Sequence, residues 1–231
     1  MKEGISKASD TTKPVMVISH AAARLSLGTA AAFVVLLAVL HVIKPELDPS
    51  WRFISEYELG HYGWMMVLAF LSLAGSYIAL FIAIRRQIRT IGGYIGLACL
   101  LISATGLTLA AIFTTDPITT SPDVMTTRGN LHSLGGTLGF AMPFASVIIS
   151  WSLARNPVWS SARRPLLWAA VLTIIGFLVS IVSLATMIPS DGHFGPDVAV
   201  GWPLRFEMLT YCVWLMVAAR QAMQIRQDGI R

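Results

Sequence analysis

The sequence predicts an all-α integral membrane protein, a bundle of six transmembrane helices with both termini in the cytoplasm. The 231-residue chain is 55% hydrophobic and only 13% charged, whereas a soluble domain carries roughly 25% charged residues. Six apolar stretches are each about 18–23 residues long, enough to cross a hydrocarbon core of about 30 Å as a helix. Basic residues are concentrated on one side of the spans that these stretches define.

The predicted spans leave a short tail at each end of the chain and no room for a soluble domain. They cover residues 21–43, 62–84, 92–113, 131–153, 166–188 and 202–219. Residues 1–20 and 220–231 are the predicted cytoplasmic tails of one transmembrane domain, 21–219. The longest connections, 44–61 and 114–130, face outward and are too short to fold alone.

Helix-breaking and small residues agree with the first three spans. Pro45 follows the first span, and proline does not continue a helix. Small residues recur in the second span at Gly75 and Ser76 and in the third at Gly92 and Gly96. Because lipid gives helices no hydrophobic reason to associate, small residues that allow close approach are expected on packing faces.

The last three spans carry their own boundary signals. Asn130 is a predicted N-cap for a fourth helix that begins at Leu131. Pro143 lies inside this span, so we expect the helix to kink there. Pro189 follows the fifth span, and Trp202 opens the sixth at a predicted membrane interface.

The distribution of charge predicts the orientation of the bundle. Thirteen of the seventeen Lys and Arg residues lie in or beside the tails and the second–third and fourth–fifth connections. Nine of the twelve acidic residues lie on the opposite side, which gives +10 on one side and −5 on the other. The positive-inside rule therefore predicts cytoplasmic termini in an inner or plasma membrane.

Composition also excludes some classes of function. The basic pI of about 9.6 comes from short segments beside helices, which suit anionic lipid headgroups and not a nucleic acid. Cys99 and Cys212 both fall inside spans, so no disulfide to a loop cysteine is expected. The sequence carries no GxSxG element and no glycine-rich nucleotide loop.

Ionisable residues gather at the outer ends of the predicted helices. The set comprises His41, His61, His132, His193, Glu56, Glu58, Asp116, Asp123, Asp191, Asp197, Glu207, Arg128 and Arg205. Such groups at a membrane edge are costly unless they are paired or face a wet cavity, so each is a functional candidate. We expect Asp116 and His132 to meet at the base of the 114–130 connection, and Arg205 to pair with Glu58 or Asp116.

One hypothesis for this set is a metal site. Hydrolytic zinc is held by two or three histidines and a carboxylate, with one position open for water. The available residues are His61, His132, His193 and Asp116, although no HxxxH or HExxH element joins them. A metal-assisted hydrolase of lipid or peptidoglycan-precursor headgroups, using zinc or another divalent ion, is therefore an alternative function.

A haem held between His61 and His132 is disfavoured. A transmembrane electron path would need a second pair of histidines nearer the cytoplasmic side, and the spans carry no such pair.

Three segments together resemble a known family. They are Ile54-Ser55-Glu56 through Leu59-Gly60 into Gly63-Trp64-Met65-Met66, then Phe113-Thr114-Thr115-Asp116-Pro117 followed by Gly129-Asn130-Leu131-His132, and Gly201-Trp202-Pro203-Leu204-Arg205. In this order, over about residues 25–220, they resemble the DUF998 family of six-span bacterial and archaeal membrane proteins. The resemblance implies a six-span fold and no particular activity. It points to Ser55, Glu56, Asp116, His132 and Arg205 as the polar signature.

The leading hypothesis is a membrane protein that binds or senses a ligand in an outward-facing polar pocket. Glu56, Asp116, His132 and Arg205 would line it, with Arg205 holding a lipid headgroup or small anion and His132 making the response pH-dependent. A non-catalytic subunit of a larger membrane complex, with membrane-protein partners or further copies of itself, is the other alternative. We expect the bilayer as a partner, no nucleic acid and no cofactor beyond a possible metal.

Overall fold

The computed structural model describes residues 18–189, 192 and 194–225, and these contain helices but no strand. The α-helices in this part are α1 (His20–Ile43), α2 (Gly63–Ile84), α3 (Ile91–Ile112), α4 (Thr127–Gly139), α5 (Met142–Ala154), α6 (Arg163–Met187) and α7 (Gly201–Gln224). Short 3₁₀ turns occupy Ile54–Glu58, Arg85–Gln87, Pro122–Val124 and Pro157–Trp159. The predicted all-α class is confirmed.

Within the described residues, five segments are long and apolar enough to cross a membrane. They are α1, α2 with its extension to Gln87, α3, the α4–α5 pair and α6. The chain is therefore a multi-pass membrane protein. Helix α7 has comparable length, 24 residues, but Arg205 and Glu207 in its first two turns make it less apolar.

Helix α4 begins earlier than expected. Its N-cap is Thr126, whose Oγ1 accepts a hydrogen bond from the Gly129 amide at 3.0 Å. Asn130 is therefore inside the first turn, and the predicted start at Leu131 is wrong by one turn. Asp116 fixes this earlier start, because its carboxylate accepts the Thr126 amide at 2.7 Å.

Pro143 divides the fourth apolar segment into two half-length helices. Helix α4 ends at Gly139 and α5 begins at Met142, with Pro143 at its second position, where a missing amide costs little. Between them, the amides of Phe140 and Ala141 donate to carbonyls three residues back, at 3.1 and 3.2 Å. The expected kink is thus a complete break in the helix.

The helices form a closed ring in chain order. Helix α1 packs on α2 and α7, α2 on α3, α3 on α4 and α5, α5 on α6, and α6 on α7. A close crossing joins α3 to α4, where a Cβ on Gly135 would lie 2.5 Å from the Gly106 carbonyl oxygen. Helix α4 packs chiefly on α3, so its other side faces α6 and α7 across a gap.

The two ends of the ring carry opposite charge. The acidic end, where α1 ends and α2 begins, holds every described carboxylate at or near it: Glu46, Asp48, Glu56, Glu58, Asp116, Asp123, Asp197 and Glu207. The opposite, basic end holds Arg85, Arg86, Arg89, Arg155, Arg163 and Arg164. This segregation agrees with the predicted sorting of charge.

Candidate functional site

A cavity of about 340 Å³ lies in the acidic half of the bundle, between α4 and the α6–α7 pair. Its wall is formed by residues of the first two outer connections, of α2, α3 and α4, and of α6 and α7. They are Phe53, Ile54, Ser55, Phe70, Tyr77, Gly106, Leu107, Ala110, Thr115, His132, Ser133, Gly135, Gly136, Thr137, Gly139, Phe140, Leu184, Leu204, Glu207, Met208 and Tyr211. Most of this surface is apolar.

The glycines of α4 fall into two classes. Gly135 is required by packing, because a Cβ there would strike the backbone of α3. Gly136 and Gly139 line the cavity, and a Cβ on either would meet nothing within 4 Å. These two glycines therefore keep the cavity wide. Phe140 lines the cavity just beyond the end of α4. Its ring packs edge-on against that of Phe177 of α6, with the ring centroids 5.8 Å apart.

The α7 side of the cavity supplies a buried carboxyl group. Glu207 is only 4% exposed, and its Oε1 accepts a hydrogen bond from the Tyr211 hydroxyl. Tyr77 of α2 lines the same region. No Lys or Arg is among the described residues that line the cavity. Its polar groups are therefore carboxyl, imidazole and hydroxyl.

His132 forms the polar wall on the α4 side. Its Nδ1 lies 2.8 Å from the Phe113 carbonyl oxygen, and because a carbonyl only accepts, Nδ1 carries the hydrogen and donates it. The same nitrogen lies 3.5 Å from Oε2 of Glu58, and the ring meets Phe70 edge-on at 5.9 Å. The imidazole is thus held in one orientation from two sides.

Glu58 is the acidic partner of His132. It is 8% exposed, and its Oε2 accepts the Thr115 amide at 3.2 Å. Burial raises the pKa of the Glu58 carboxyl to about 7, and the amide hydrogen bond opposes part of that shift. Its charge therefore changes near neutral pH, next to the cavity wall.

Glu56 holds the two connections of the acidic end together. It accepts hydrogen bonds from Arg52 Nη1 at 2.7 Å and from the amides of Phe53 and Ile118, both at 3.1 Å. The side chain is 1% exposed. Both carboxylate oxygens of Glu56 therefore accept hydrogen bonds from the protein itself, whereas the neighbouring Ser55 lines the cavity.

Asp116 belongs to the N-terminus of α4. Besides the Thr126 amide, it accepts the Thr126 hydroxyl at 3.0 Å, and a Cβ on Gly129 would lie 2.1 Å from its Oδ2. The expected meeting with His132 is wrong, because His132 pairs with Glu58. The hydrogen bonds from the Thr126 amide and hydroxyl direct the Asp116 carboxylate to the start of α4.

Arg205 is the centre of a buried polar cluster beside the cavity. Its Nε donates to His41 Nε2 at 2.8 Å, and Nη1 donates to the Arg52 and Gly201 carbonyls at 2.7 and 3.1 Å. The guanidinium also lies 5.7 Å above the Tyr57 ring. The expected pairing with Glu58 or Asp116 is wrong, because neutral acceptors from α1, the first connection and the start of α7 occupy its donors.

The structure therefore divides the predicted polar signature. Ser55 and His132 line the cavity, whereas Glu56, Asp116 and Arg205 hold the surrounding frame. Glu207 belonged to the predicted set of outer ionisable residues but was not assigned to the pocket, and Tyr211 was missed. Their four-residue spacing on α7 was the available signal, since such residues share one helix face.

The predicted metal ligands are not gathered in the described part of the chain. His61 is exposed beside Tyr62, His132 is buried against Glu58, and Asp116 caps α4. His193 lies outside the described residues. Among residues 18–189, 192 and 194–225 there is no group of three or more His, Cys, Asp or Glu placed to hold a metal. The metal site stays a prediction.

Comparison with known proteins identifies the family. The DUF998 model, described as a protein of unknown function, matches residues 27–221. No curated protein and no solved structure matches the chain. The match spans most of the helical ring, including the cavity, its frame and both ends of the bundle. The chain therefore belongs to the DUF998 family.

Proposed function

We propose that this protein binds one amphiphilic molecule, with its apolar chain in the cavity between α4, α6 and α7. The observation that carries the proposal is the cavity itself, which combines apolar walls at membrane depth with polar groups toward one end. Gly136 and Gly139 support it, because neither is needed for helix packing and both leave space. In a bilayer, the molecules that surround such a gap are lipids and other amphiphiles.

The proposal includes a six-span topology in which the acidic end faces outward. Helix α7 would be the sixth span, with Arg205 and Glu207 turned into the bundle, where they are 7% and 4% exposed. Its place between α6 and α1 closes the ring. With both termini cytoplasmic by the positive-inside rule, the cavity would receive its occupant from the outer leaflet.

The chemistry of the wall favours a headgroup that donates hydrogen bonds. Glu207, the tyrosine hydroxyls and Ser55 all offer acceptor oxygens. Arg205 was the expected anion grip, but its donors are already directed at His41 and two backbone carbonyls. We therefore propose a hydroxyl or amine headgroup in place of an anionic one.

The test uses photoreactive chains that differ only in headgroup. The full chain is reconstituted in nanodiscs with diazirine-labelled octadecylamine or with diazirine-labelled octadecanoate, and crosslinked peptides are mapped by mass spectrometry. We expect the amine probe to label α4, α6 and α7 more strongly than the carboxylate probe. Equal labelling by both probes would remove the headgroup assignment, and labelling spread evenly over all helices would remove the site.

Matched glycine variants provide the control. Gly136→Leu places a side chain in the cavity, whereas Gly28→Leu places the same side chain on an exposed face of α1 that also has nothing within 4 Å. Labelling should fall at least several-fold in the first variant and stay unchanged in the second. If both variants melt like the wild type and label equally, the cavity is not the binding site.

A further inference from the structure

A second cavity, of about 640 Å³, lies at the basic end and is open to its surroundings. We call it the basic groove; its walls are Phe81, Arg85, Arg86, Ile88, Tyr94, Leu97, Ala98 and Leu101. It runs from the end of α2 to the first half of α3. It is on the opposite end of the bundle from the cavity described above, so it requires a separate explanation.

Two guanidinium groups at the mouth of the groove have no described acidic neighbour. Arg85 and Arg86 are both exposed. The two ion pairs in the described part of the chain, Arg52–Glu56 and His132–Glu58, lie at the acidic end. Every described carboxylate also lies at or near that end. The positive charge of the groove is therefore available to an anion from outside the described chain.

The remainder of the groove is an apolar strip along α3. Tyr94, Ala98 and Leu101 follow one another at helical spacing, so they share one face. All three are exposed, Tyr94 by 57% and Leu101 by 36%. Over seven residues at about 1.5 Å each, the strip extends roughly 10 Å from the arginines toward the membrane centre.

We propose that the basic groove binds an anionic phospholipid, with its phosphate at Arg85 and Arg86 and one acyl chain along Tyr94, Ala98 and Leu101. Arginine pairs with phosphate through several charge-assisted hydrogen bonds, and basic pockets between membrane helices recognise anionic headgroups. A free phosphate ion would use the arginines but leave the apolar strip uncovered. The combination of both surfaces therefore specifies a lipid.

The test compares two arginine pairs at the same end of the bundle. Arg163 and Arg164, at the start of α6, are also adjacent and exposed but do not line the groove. Native mass spectrometry of the detergent-purified full chain would follow titration with phosphatidylglycerol or phosphatidylcholine. We expect one phosphatidylglycerol to bind selectively, R85Q/R86Q to weaken it about tenfold or more, and R163Q/R164Q to change it less than about twofold. Equal losses in the two double variants would overturn the proposal.

A third variant separates the lipid from a free anion. Ala98→Phe fills the apolar strip and keeps both arginines, so phosphatidylglycerol binding should fall several-fold while the thermal unfolding temperature stays close to that of the wild type. Unchanged binding in Ala98→Phe would overturn the proposal. Displacement of the lipid by inorganic phosphate at millimolar concentration would also overturn it, because the arginines alone would then be the site.

Discussion

At the scale of single residues, Glu58 is a buried group whose charge changes near neutral pH. It is held between the Thr115 amide and the His132 ring, at 3.2 and 3.5 Å. Since burial raises its pKa, the folded protein keeps a proton there that an unfolded chain would already have released. Folding and proton binding are therefore coupled at this position.

The sign of the coupling gives a prediction for stability. Between the ordinary pKa of 4.5 and the folded value of about 7, the folded state binds more protons than the unfolded state. The free energy of unfolding should consequently fall as pH rises through this window and level off above it. Glu58→Gln removes the titrating group and should flatten the dependence, measured as thermal unfolding in detergent from about pH 5 to about pH 8.

An exposed carboxylate in the next connection is the matched control. Asp123→Asn changes the same type of group at an exposed position and should leave the wild-type slope in place. His132 faces Glu58, and a protonated imidazole would favour the charged carboxylate, so His132→Gln should steepen the dependence. A wild-type curve that rises from pH 5 to pH 7 would contradict the prediction.

At this scale the sequence predicted which ionisable residues matter, but not which residues they contact. The cost of an ionisable group at a membrane edge singled out His132 and Arg205. Arg205, however, meets His41, which is 164 positions away in the chain, and no local pattern encodes that contact. Asp116 and Arg205 were expected in the pocket because ionisable groups at a membrane edge are costly unless they are paired or face a wet cavity. In the structure, Asp116 is satisfied at the start of α4, and Arg205 by His41 and backbone carbonyls.

At the scale of elements, the crossing of α3 and α4 is a contact that leaves no room for a larger side chain. A Cβ on Gly135 would come within 2.5 Å of the Gly106 carbonyl oxygen, and backbone cannot move aside as a flexible side chain can. Because this crossing fixes one wall of the cavity, it also fixes the cavity width.

Adjacent glycines give a direct comparison of packing with open space. Gly135→Ala should cost about 1–3 kcal/mol, as overpacking of a close contact typically does. Gly136→Ala should be neutral or stabilise by up to about 1 kcal/mol, since alanine is the better helix former and has room there. Thermal or denaturant unfolding of both variants in the same detergent measures the difference. Equal stability of the two would show that the helices are not in contact at Gly135.

Hydropathy predicted the helices well and their ends less well. The six predicted spans overlap the helical segments closely, because apolar length determines what crosses a bilayer. The start of α4 was missed by one turn, since it depends on Asp116 and Thr126 meeting across a connection. The kink at Pro143 was predicted because proline acts through its own backbone, although a complete break was not.

At the scale of the whole molecule, the closed ring of helices separates the two proposed sites. The amphiphile cavity lies in the acidic half, and the basic groove lies at the other end on α2 and α3. Local hydropathy did not reveal which helices are neighbours. Ring order depends on close contacts such as Gly176 against Thr210, where a Cβ would lie 2.5 Å from the threonine hydroxyl.

Single cysteines test the six-span orientation. Ser121 lies in the acidic-end connection after α3, Ser160 in the basic-end connection before α6, and Gln224 near the end of α7; all three are exposed. In a background with Cys99→Ser, a membrane-impermeant maleimide should label S121C in intact cells. S160C and Q224C should be labelled only after permeabilisation. Labelling of Q224C together with S121C in intact cells would mean that α7 does not cross. Labelling of S160C and Q224C without S121C would mean that the orientation is reversed.

The break between α4 and α5 means that the α4 wall of the cavity is not positioned by the other half of its own span. Helix α4, roughly 20 Å long, is held at its N-terminus by Asp116 and along its length by α3. At Phe140 and Ala141 the regular hydrogen-bond ladder is interrupted, so no continuous helix joins α4 to α5. The width of the cavity on this side consequently depends on the Asp116 contact and on the α3 crossing, and not on the direction of α5.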